Sequence, residues 1–397
     1  MNSRAGLAAP ARRCTSEQAL AAAARPSSVL LLARELGIGG SERQLCEMAL
    51  ALDRKRYDVH VGCFRSGGIR AREVRAGGVP VVEFPLRSLR SPRNVVETVL
   101  ALRRYVRRHE IRIVHPFDIS ANVFVGLAAW ALGPTVIVTS QRSFRKRLPS
   151  ALRVGLRIAD RLSDGVVVNC RAVGEHLASD ELVPRARIHL CHNGLDPVRF
   201  FRSPTLSASL WQHQGLVIGT VCSLRPEKNL PTLLEAFAVC YARHPMLRLT
   251  LVGDGSERQR LQQQAEHLGI AAHCTFQPTV SDVVPWLSAI DIFVLPSTSE
   301  SLSNALMEAM ACGCACIASR VGGNSELIEH GVTGLLFEST DVCGLADRIE
   351  QLVADSGLRR QLGQRATTVI RERFSLGAAA QRLGFIYDAA LAGKSLR

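Results

Sequence analysis

Short runs of β-branched and aliphatic residues alternate with longer amphipathic segments along most of this 397-residue chain. Such alternation is typical of a parallel sheet wrapped by helices, because parallel strands need crossover connections that are usually helical. In the first half we predict strands at 29–33, 58–64, 79–84, 111–115, 136–139, 165–169 and 188–191, with helices including 42–52 and 95–108. In the second half we predict strands at 217–222, 248–252, 274–277, 292–295 and 316–319, with helices including 231–243, 257–268, 303–311 and 342–355. The fold class is therefore expected to be α/β, with two Rossmann-like domains.

The domain boundary is expected within 196–214, a polar stretch flanked by Pro197 and Pro204. We expect a first domain at 29–205 and a second at 206–375, with a C-terminal helix at about 376–397 packing back on the first. Residues 1–28 are rich in Ala and Arg and are expected to be a disordered extension, a transit peptide being the alternative. Two Rossmann-like domains that face each other leave a ligand cleft at the carboxyl ends of their strands.

The longest apolar window, 123–138, raises the alternative of a membrane span. Gly133-Pro134 interrupts it, and β-branched residues follow, so a helix that ends at Gly133 and a buried strand are favoured. Twelve cysteines without a framework spacing indicate reduced thiols in a cytoplasm. The group Cys312, Cys314 and Cys316 has no second set of ligands, so we expect a tight helix-to-strand turn and no metal site.

The net charge of +14 lies entirely in the first half of the chain. Residues 1–205 hold 33 Lys and Arg against 17 Asp and Glu, whereas the remainder has a balance of −2. Such basic clusters attract anionic lipid or acidic substrates, and a merely solvated Arg-rich surface is the alternative. The clusters are Arg103, Arg104, Arg107 and Arg108, and Arg142, Arg145, Lys146 and Arg147. Nucleic acid is not expected as a partner, because no nucleic-acid-binding motif is present.

The segment 291–311 carries the clearest chemical signal. A buried strand ends before Pro296, and a Ser-rich loop containing Glu300 leads into a helix that contains Glu308. The backbone N–H groups of Leu302, Ser303 and Asn304 are free donors at a helix N-terminus, which together with the helix dipole suits a diphosphate. A carboxylate in the same place would accept hydrogen bonds from sugar or ribose hydroxyls.

Further loops between strand and helix repeat this pattern of small, polar and basic residues. They are 37–43 (GIGGSER), 192–196 (HNGLD), 224–229 (LRPEKN), 252–255 (VGDG), 321–326 (VGGNSE) and 330–334 (HGVTG). With the E-x7-E spacing of Glu300 and Glu308, these loops resemble, in the same order, the motifs of family 4 retaining glycosyltransferases (group 1), which have the GT-B fold. The resemblance covers roughly residues 29–391.

The resemblance implies that the first domain, 29–205, binds the acceptor and that the second, 206–375, binds the nucleotide-sugar donor. It also implies a role for each matching residue. Glu300 would face the donor hexose, and Glu308 would hold the nucleotide ribose. Arg225 and Lys228 would neutralise the leaving diphosphate. The remaining donor-binding positions implied are Gly39, Gly40, Gly253, Leu302, Ser303 and Asn304.

The chain departs from the family pattern at three places. Cys222 and Ser223 stand where Gly-Arg is common, so the positive charge falls on Arg225 and Lys228. The second His of a His-x-His is replaced in His115-Pro116-Phe117. His115 is therefore a candidate catalytic residue or, equally, a packed strand-end residue. Pro278 replaces a usual Gly, so the nucleotide base is left unassigned.

The expected function is retaining transfer of a hexose-type sugar from a nucleotide-diphosphate sugar to a glycan or lipid-linked acceptor in polysaccharide or glycolipid biosynthesis. No cofactor or metal is expected, because Lys and Arg replace the cation and no suitably placed Asp-x-Asp occurs. The expected location is cytoplasmic, with peripheral attachment to an anionic membrane surface. A catalytically silent GT-B binding protein and a nucleotide-sugar enzyme of other chemistry are the alternatives.

Overall fold

The computed structural model describes residues 26–65, 67–146, 148–203 and 215–393. Most of the expected extension at 1–28 and the expected boundary after residue 205 lie outside these ranges. Thirteen strands are assigned within them, in one seven-stranded and one six-stranded sheet, and every strand pair is parallel.

The first sheet has the order β3-β2-β1-β4-β5-β6-β7. Its strands are β1 (Ser27–Glu35), β2 (Tyr57–Arg65), β3 (Val81–Glu83), β4 (Ile113–Pro116), β5 (Val136–Gln141), β6 (Gly165–Val168) and β7 (Ile188–Leu190). Its helices are α1 (Gly40–Ala51), α2 (Ile69–Ala76), α3 (Pro92–Arg108), α4 (Ile119–Leu132), α5 (Ser150–Leu162) and α6 (Arg171–Asp180). Because the strand order reverses between β1 and β4, the loops after these strands open onto a crevice at the sheet's carboxyl edge.

The second sheet has the order β10-β9-β8-β11-β12-β13, which repeats the doubly wound scheme. Its strands are β8 (Val217–Val221), β9 (Arg248–Val252), β10 (Cys274–Gln277), β11 (Ile292–Leu295), β12 (Ala315–Ser319) and β13 (Leu335–Phe337). The helices that follow in the chain are α7 (Leu230–Arg243), α8 (Arg258–His267), α9 (Val284–Ala289), α10 (Asn304–Ala311), α11 (Asn324–Leu327), α12 (Val342–Ala354), α13 (Ser356–Arg373) and α14 (Leu376–Leu391).

The last helix, α14, leaves the second domain and packs on the first. Its Tyr387 is fully buried within the same hydrophobic cluster as β1 and β2, and Tyr57 donates its hydroxyl to the carbonyl of Gly384 at 2.9 Å. Where the chain crosses back, the N–H of Leu195 bonds to the carbonyl of Phe374 at 2.9 Å, and the N–H of Leu376 bonds to the carbonyl of Leu195 at 2.8 Å. The two domains are thus joined by two neighbouring stretches of chain.

The predicted twelve strands are confirmed, and β13 was missed. It has only three residues and follows the turn of 330–334, so it has neither the length nor the alternation that marks a strand in sequence. The apolar window also divides as expected, because α4 ends at Leu132 and β5 begins at Val136. Among the described residues, no helix is both long enough and apolar enough to cross a membrane. The turn expected around Cys312–Cys316 is confirmed, with Gly313 at a φ of +73° between α10 and β12.

Candidate functional site

A cleft of about 740 Å³ lies between the carboxyl edges of the two sheets. The first domain contributes the loops after β1 and β5, and the second contributes the loops after β8, β11 and β12. The lining residues that carry charge are Arg142, Lys146, Arg225, Glu227, Lys228 and Glu300. Gly40, Leu302 and Asn304, which the sequence assigned to donor binding, also line it. The cleft is therefore rich in cations and is built from both domains.

Two helix N-termini meet at this cleft. Helix α1 begins after Gly39, which has no side chain to cap it, and a Cβ at Gly40 would lie 3.0 Å from Asn304 Nδ2 at the start of α10. Helix α10 is capped by Ser303, whose hydroxyl accepts the N–H of Leu306. Because first-turn N–H groups lack partners within their own helix, both ends favour an anion in the space between them.

Lys228 and Glu300 form an ion pair in this cleft. Lys228 Nζ lies 2.5 Å from Glu300 Oε1, and the Ser297 hydroxyl donates to the same oxygen at 2.7 Å. Burial alone would lower the pKa of Lys228, but the attraction of Glu300 overcomes this and raises it, so the ammonium stays charged. The left-handed Asn229 (φ 50°) ends the short turn Pro226–Lys228 and begins α7. The structure thus brings these two predicted residues together.

Gly322 explains why a Gly-Gly pair follows β12. Its φ is +49°, and a Cβ there would lie 1.7 Å from the carbonyl oxygen of Glu300. The next residue, Gly323, donates its N–H to the carbonyl of Ser301 at 2.6 Å. Only glycine allows this close approach of backbone to backbone, so the pair fixes the loop that carries Glu300.

Glu308 is buried and does not line the cleft. Its carboxylate forms an ion pair with Arg43 of α1, and Arg43 Nε also bonds to Glu47 Oε1 at 2.8 Å. Burial raises the pKa of Glu308, and the Arg43 guanidinium opposes that rise. The guanidinium of Arg43 further lies over the ring of Phe200, 5.0 Å from its centroid. The residue expected to hold ribose is therefore bound across the domain interface in this structure.

Arg225 and Gly253 differ in their placement. Arg225 is exposed and lines the cleft, and its side chain has no ion pair within the described part of the chain. Gly253 does not line the cleft. It adopts a φ of +139°, and a Cβ there would lie 1.9 Å from the carbonyl oxygen of Cys222. Its glycine is thus explained by the close contact between the loops after β8 and β9.

His115 is fully buried on β4, away from the cleft lining. Its Nδ1 lies 2.6 Å from the hydroxyl of Tyr387 on α14, and its Nε2 lies 2.7 Å from the hydroxyl of Ser140 on β5. Burial, reinforced by the charge of Arg142, holds the pKa of His115 well below its ordinary value. Both ring nitrogens already have partners, so this geometry matches the packed strand-end alternative.

We expect His115→Gln to reduce the dependence of stability on pH and to leave turnover within a few-fold of wild type. In the folded protein His115 stays neutral, whereas the unfolded chain binds a proton at this residue below about pH 6.5. The free energy of unfolding should therefore fall by up to about 1.4 kcal/mol per pH unit below that value through this residue alone. Urea unfolding of both proteins between pH 5 and 7.5 measures the difference. Equal slopes would show that His115 is not held neutral in the folded protein. A loss of turnover of about 100-fold would return His115 to the catalytic group.

One predicted surface cluster is corrected by the structure. Arg145 is buried at 1% exposure, and its guanidinium bonds to Asp160 at 2.7 and 3.1 Å, so it is not available to lipid or substrate. Arg142 and Lys146 instead line the cleft, and Arg147 lies outside the described residues. Sequence spacing could not separate them, because neighbouring residues of a loop can point into the core or into the cleft.

Two further residues of the site were not assigned from the sequence. Asn193 donates its amide to the carbonyl of Leu302 at 3.1 Å and to Asn304 Oδ1 at 2.8 Å, which ties the first domain to the start of α10. Glu326 accepts the N–H of Arg171 at the start of α6 at 2.7 Å. Both belong to the loop motifs quoted above, so their presence was visible in the sequence while their bonds across the interface were not.

Comparison with known families gives a match for each domain. Residues 38–199 match the family described as Glycosyltransferase Family 4, and residues 205–369 match Glycosyl transferases group 1. The chain is 38% identical over 200 residues to N-acetyl-alpha-D-glucosaminyl L-malate synthase of Bacillus anthracis, covering 49% of this chain and 52% of that one. It is 29% identical over 294 residues to a GDP-mannose-dependent alpha-(1-6)-phosphatidylinositol monomannoside mannosyltransferase of Mycolicibacterium smegmatis, covering 70% of this chain and 76% of that one. Three of the relatives are matched over only 42 to 52% of their own length.

Solved structures agree on the architecture. Anabaena HepE in complex with UDP superposes with a TM-score of 0.80 at 24% identity, over 91% of this chain and 100% of that one. Sucrose-phosphate synthase from Thermosynechococcus elongatus gives a TM-score of 0.77 at 19% identity, over 92% and 100%. At these identities the likeness shows the fold alone, which is the expected GT-B arrangement of two Rossmann-like domains.

Proposed function

Because this chain belongs to the family 4, group 1 glycosyltransferases, we propose that it transfers a hexose-type sugar, with retention, from a nucleotide-diphosphate sugar to a glycan or lipid-linked acceptor. The observation that carries the proposal is the Lys228–Glu300 pair, set beside the start of α10 in a cleft shared by both domains. The supporting comparisons are the relatives named for sugar transfer and the HepE structures, which hold UDP or UDP-glucose.

The chemistry needs stabilisation of a leaving nucleoside diphosphate. Lys228 and Arg225 bring positive charge to one wall of the cleft, and the α10 N-terminus adds backbone N–H groups. Glu300 accepts hydrogen bonds from Lys228 and Ser297 through its Oε1. We assign Glu300 a positioning and electrostatic role towards the sugar, which becomes cation-like as the bond to the diphosphate breaks. The acceptor hydroxyl would approach on the face the diphosphate leaves.

We also propose that the reaction needs no metal ion. The cations that line the cleft can compensate the diphosphate charge directly.

The proposal is tested by a donor screen on the full chain. Each UDP-, GDP- and ADP-sugar is expected to raise the unfolding temperature only if it binds, since a ligand at 100 times its dissociation constant stabilises by about 2.7 kcal/mol. Without an acceptor, the donor that binds should be hydrolysed slowly to free sugar and nucleoside diphosphate. With a lipid-linked or oligosaccharide acceptor it should be consumed faster, by transfer of the sugar to the acceptor hydroxyl, whether EDTA is present or not. Binding without any turnover would favour a silent scaffold, and a new sugar isomer would favour an epimerase. A strict requirement for Mg²⁺ would contradict the metal-free proposal.

We also propose a cytoplasmic location with peripheral attachment to an anionic membrane, where a lipid-linked acceptor would be found. Helix α3 exposes Arg104, Arg107 and Arg108. On α4, Trp130 is 77% exposed. A surface that combines basic and aromatic side chains suits the interface of an anionic bilayer.

We expect sedimentation with anionic liposomes at low salt and release as salt rises, because screening at about 8 Å weakens surface attraction. Each Lys or Arg near such a surface contributes about 1 kcal/mol, so Arg104→Gln combined with Arg107→Gln should weaken binding roughly 30-fold. Arg365→Gln combined with Arg371→Gln, both exposed on α13 of the second domain, is the matched control. Equal binding to neutral and anionic vesicles, or none to either, would refute the attachment and point to a soluble acceptor.

A further inference from the structure

Arg142, like the exposed Arg225, is a cation of the cleft wall that forms no ion pair among the described residues. It follows β5 in the first domain and lines the cleft. Its Nη1 donates to Asn193 Oδ1 at 2.8 Å, while its Nε is buried and has no hydrogen-bond partner. Its guanidinium lies over the ring of Phe117, 4.5 Å from the centroid.

The buried residues Arg43 and Arg145 show how this chain normally compensates the charge of an enclosed guanidinium. Arg43 pairs with Glu47 and Glu308, and Arg145 pairs with Asp160. Arg142 has no carboxylate partner, and burial lowers its pKa to about 10. The Nε of Arg142 is buried without a partner, and an unpaired charged donor of this kind is costly, so its retention at the wall of a cleft indicates that a ligand supplies the anion.

Arg142 lies on the opposite wall of the cleft from the two cations expected to neutralise the diphosphate. Arg225 and Lys228 lie on the second domain, whereas Arg142 and the neighbouring Lys146 lie on the first, across the same cleft. The carbonyl of Arg142 accepts the hydroxyl of Ser301, the residue after Glu300, at 2.8 Å. An anion held by Arg142 would thus lie on the first-domain side of the cleft, where the family resemblance places the acceptor, and next to the loop that carries Glu300.

Resting on the proposed function, we propose that Arg142, assisted by Lys146, binds an anionic group of the acceptor, a phosphate or a carboxylate. The planar guanidinium suits both, because it offers paired N–H donors to two oxygens. Lys146 is 70% exposed in its side chain and makes a 3.3 Å ion pair with Asp180, so it can reorient towards the cleft when an anion is present. The acceptor class is then an acidic molecule whose hydroxyl lies within reach of the donor sugar.

The test titrates the full chain, first saturated with the nucleoside diphosphate that the donor screen identifies, by calorimetry. The probes are glycerol 3-phosphate for a phosphate, L-malate for a carboxylate, and glycerol as the neutral control. We expect wild type to bind at least one acidic probe and not glycerol. Arg142→Gln should weaken that binding about 10-fold or more. Arg142→Lys should keep part of the affinity for the acidic probe. In both variants the affinity for the nucleoside diphosphate should stay within about twofold of wild type. Arg72→Gln, an exposed change on α2 of the same domain, is the matched control.

The outcomes separate this site from the proposed function. If neither acidic probe binds wild type, or both bind Arg142→Gln equally well, the site is refuted. If Arg142→Gln chiefly loses the nucleoside diphosphate, Arg142 serves the donor and the assignment is wrong. If no nucleoside diphosphate binds, the proposed function fails. Titration of ligand-free wild type and ligand-free Arg142→Gln with the acidic probes then still tests the Arg142 site. Should Arg142→Gln not fold, Arg142→Lys decides, since it must weaken probe binding without changing nucleotide affinity.

Discussion

Replacing Lys228 by alanine is expected to lower turnover by about 100- to 1000-fold, the usual cost of removing one preorganised donor to a developing negative charge. Lys228 Nζ is the group that bonds to Glu300, and it lies in the wall of the cleft expected to hold the diphosphate. Lys228→Arg should retain more activity than Lys228→Ala, because it keeps the charge. Steady-state kinetics with the identified donor measures both, with the exposed Lys55→Ala as the remote control.

The Lys228→Ala variant also strips Glu300 of its cation, leaving the Ser297 hydroxyl as a partner. Kinetics of Glu300→Gln and of the double variant Lys228→Ala with Glu300→Gln separate the two effects. If the pair acts as a unit, the double variant loses little more than Lys228→Ala alone, because such effects are not additive. Unchanged turnover in Lys228→Ala would transfer the role to Arg225 or another cation of the cleft.

Glu308→Ala is expected to destabilise the protein by about 3–5 kcal/mol, since it leaves Arg43 buried without its interdomain partner. For a domain of this size that lowers the unfolding temperature by about 2–4 °C per kcal/mol. Glu47→Gln, which removes the other carboxylate of Arg43, is the matched control and should cost less. Calorimetric unfolding measures all three proteins. An unfolding temperature in Glu308→Ala equal to that of wild type would show that the ion pair contributes nothing to stability.

A loss of stability this large would obscure any change in donor affinity, so affinity needs a variant without the unpaired charge. Arg43→Met combined with Glu308→Leu removes both charges and should recover most of the stability. If Glu308 holds the ribose, this double variant still binds donor at least about 10-fold more weakly, the effect of losing a charged hydrogen bond. Donor affinity equal to wild type would remove Glu308 from the donor site. By the same assignment Glu300→Ala should mainly lower turnover.

The sequence predicted the parts of this structure that depend on local pattern. Strand positions follow from β-branched runs, and the loops that meet at the cleft follow from the rule that parallel strands end at one edge. Lys228 and Glu300 were assigned through motifs, and the structure brings them together.

The parts it could not predict depend on contacts between residues far apart in the chain. Arg43 and Glu308 are separated by 265 positions, and nothing local to either indicates that they meet. Likewise Arg142 and Arg145 are three residues apart in one basic loop, yet one lines the cleft and the other is buried with Asp160. Whether a charged side chain has an ion-pair partner therefore depends on how the two domains pack together.

The paired crossings at Leu195 and Ser375 limit how the domains can move relative to each other. A single linker would leave a tethered domain free to swing and twist in every direction. Two crossings bonded side by side form a hinge. Rotation of one domain about the line through both crossings is therefore the relative domain motion with the lowest energy cost. The Arg43–Glu308 ion pair joins the two domains at another point, so a rotation that separates the domains there would also separate its charges. A substrate that bound Glu308 in place of Arg43 would therefore make that rotation easier.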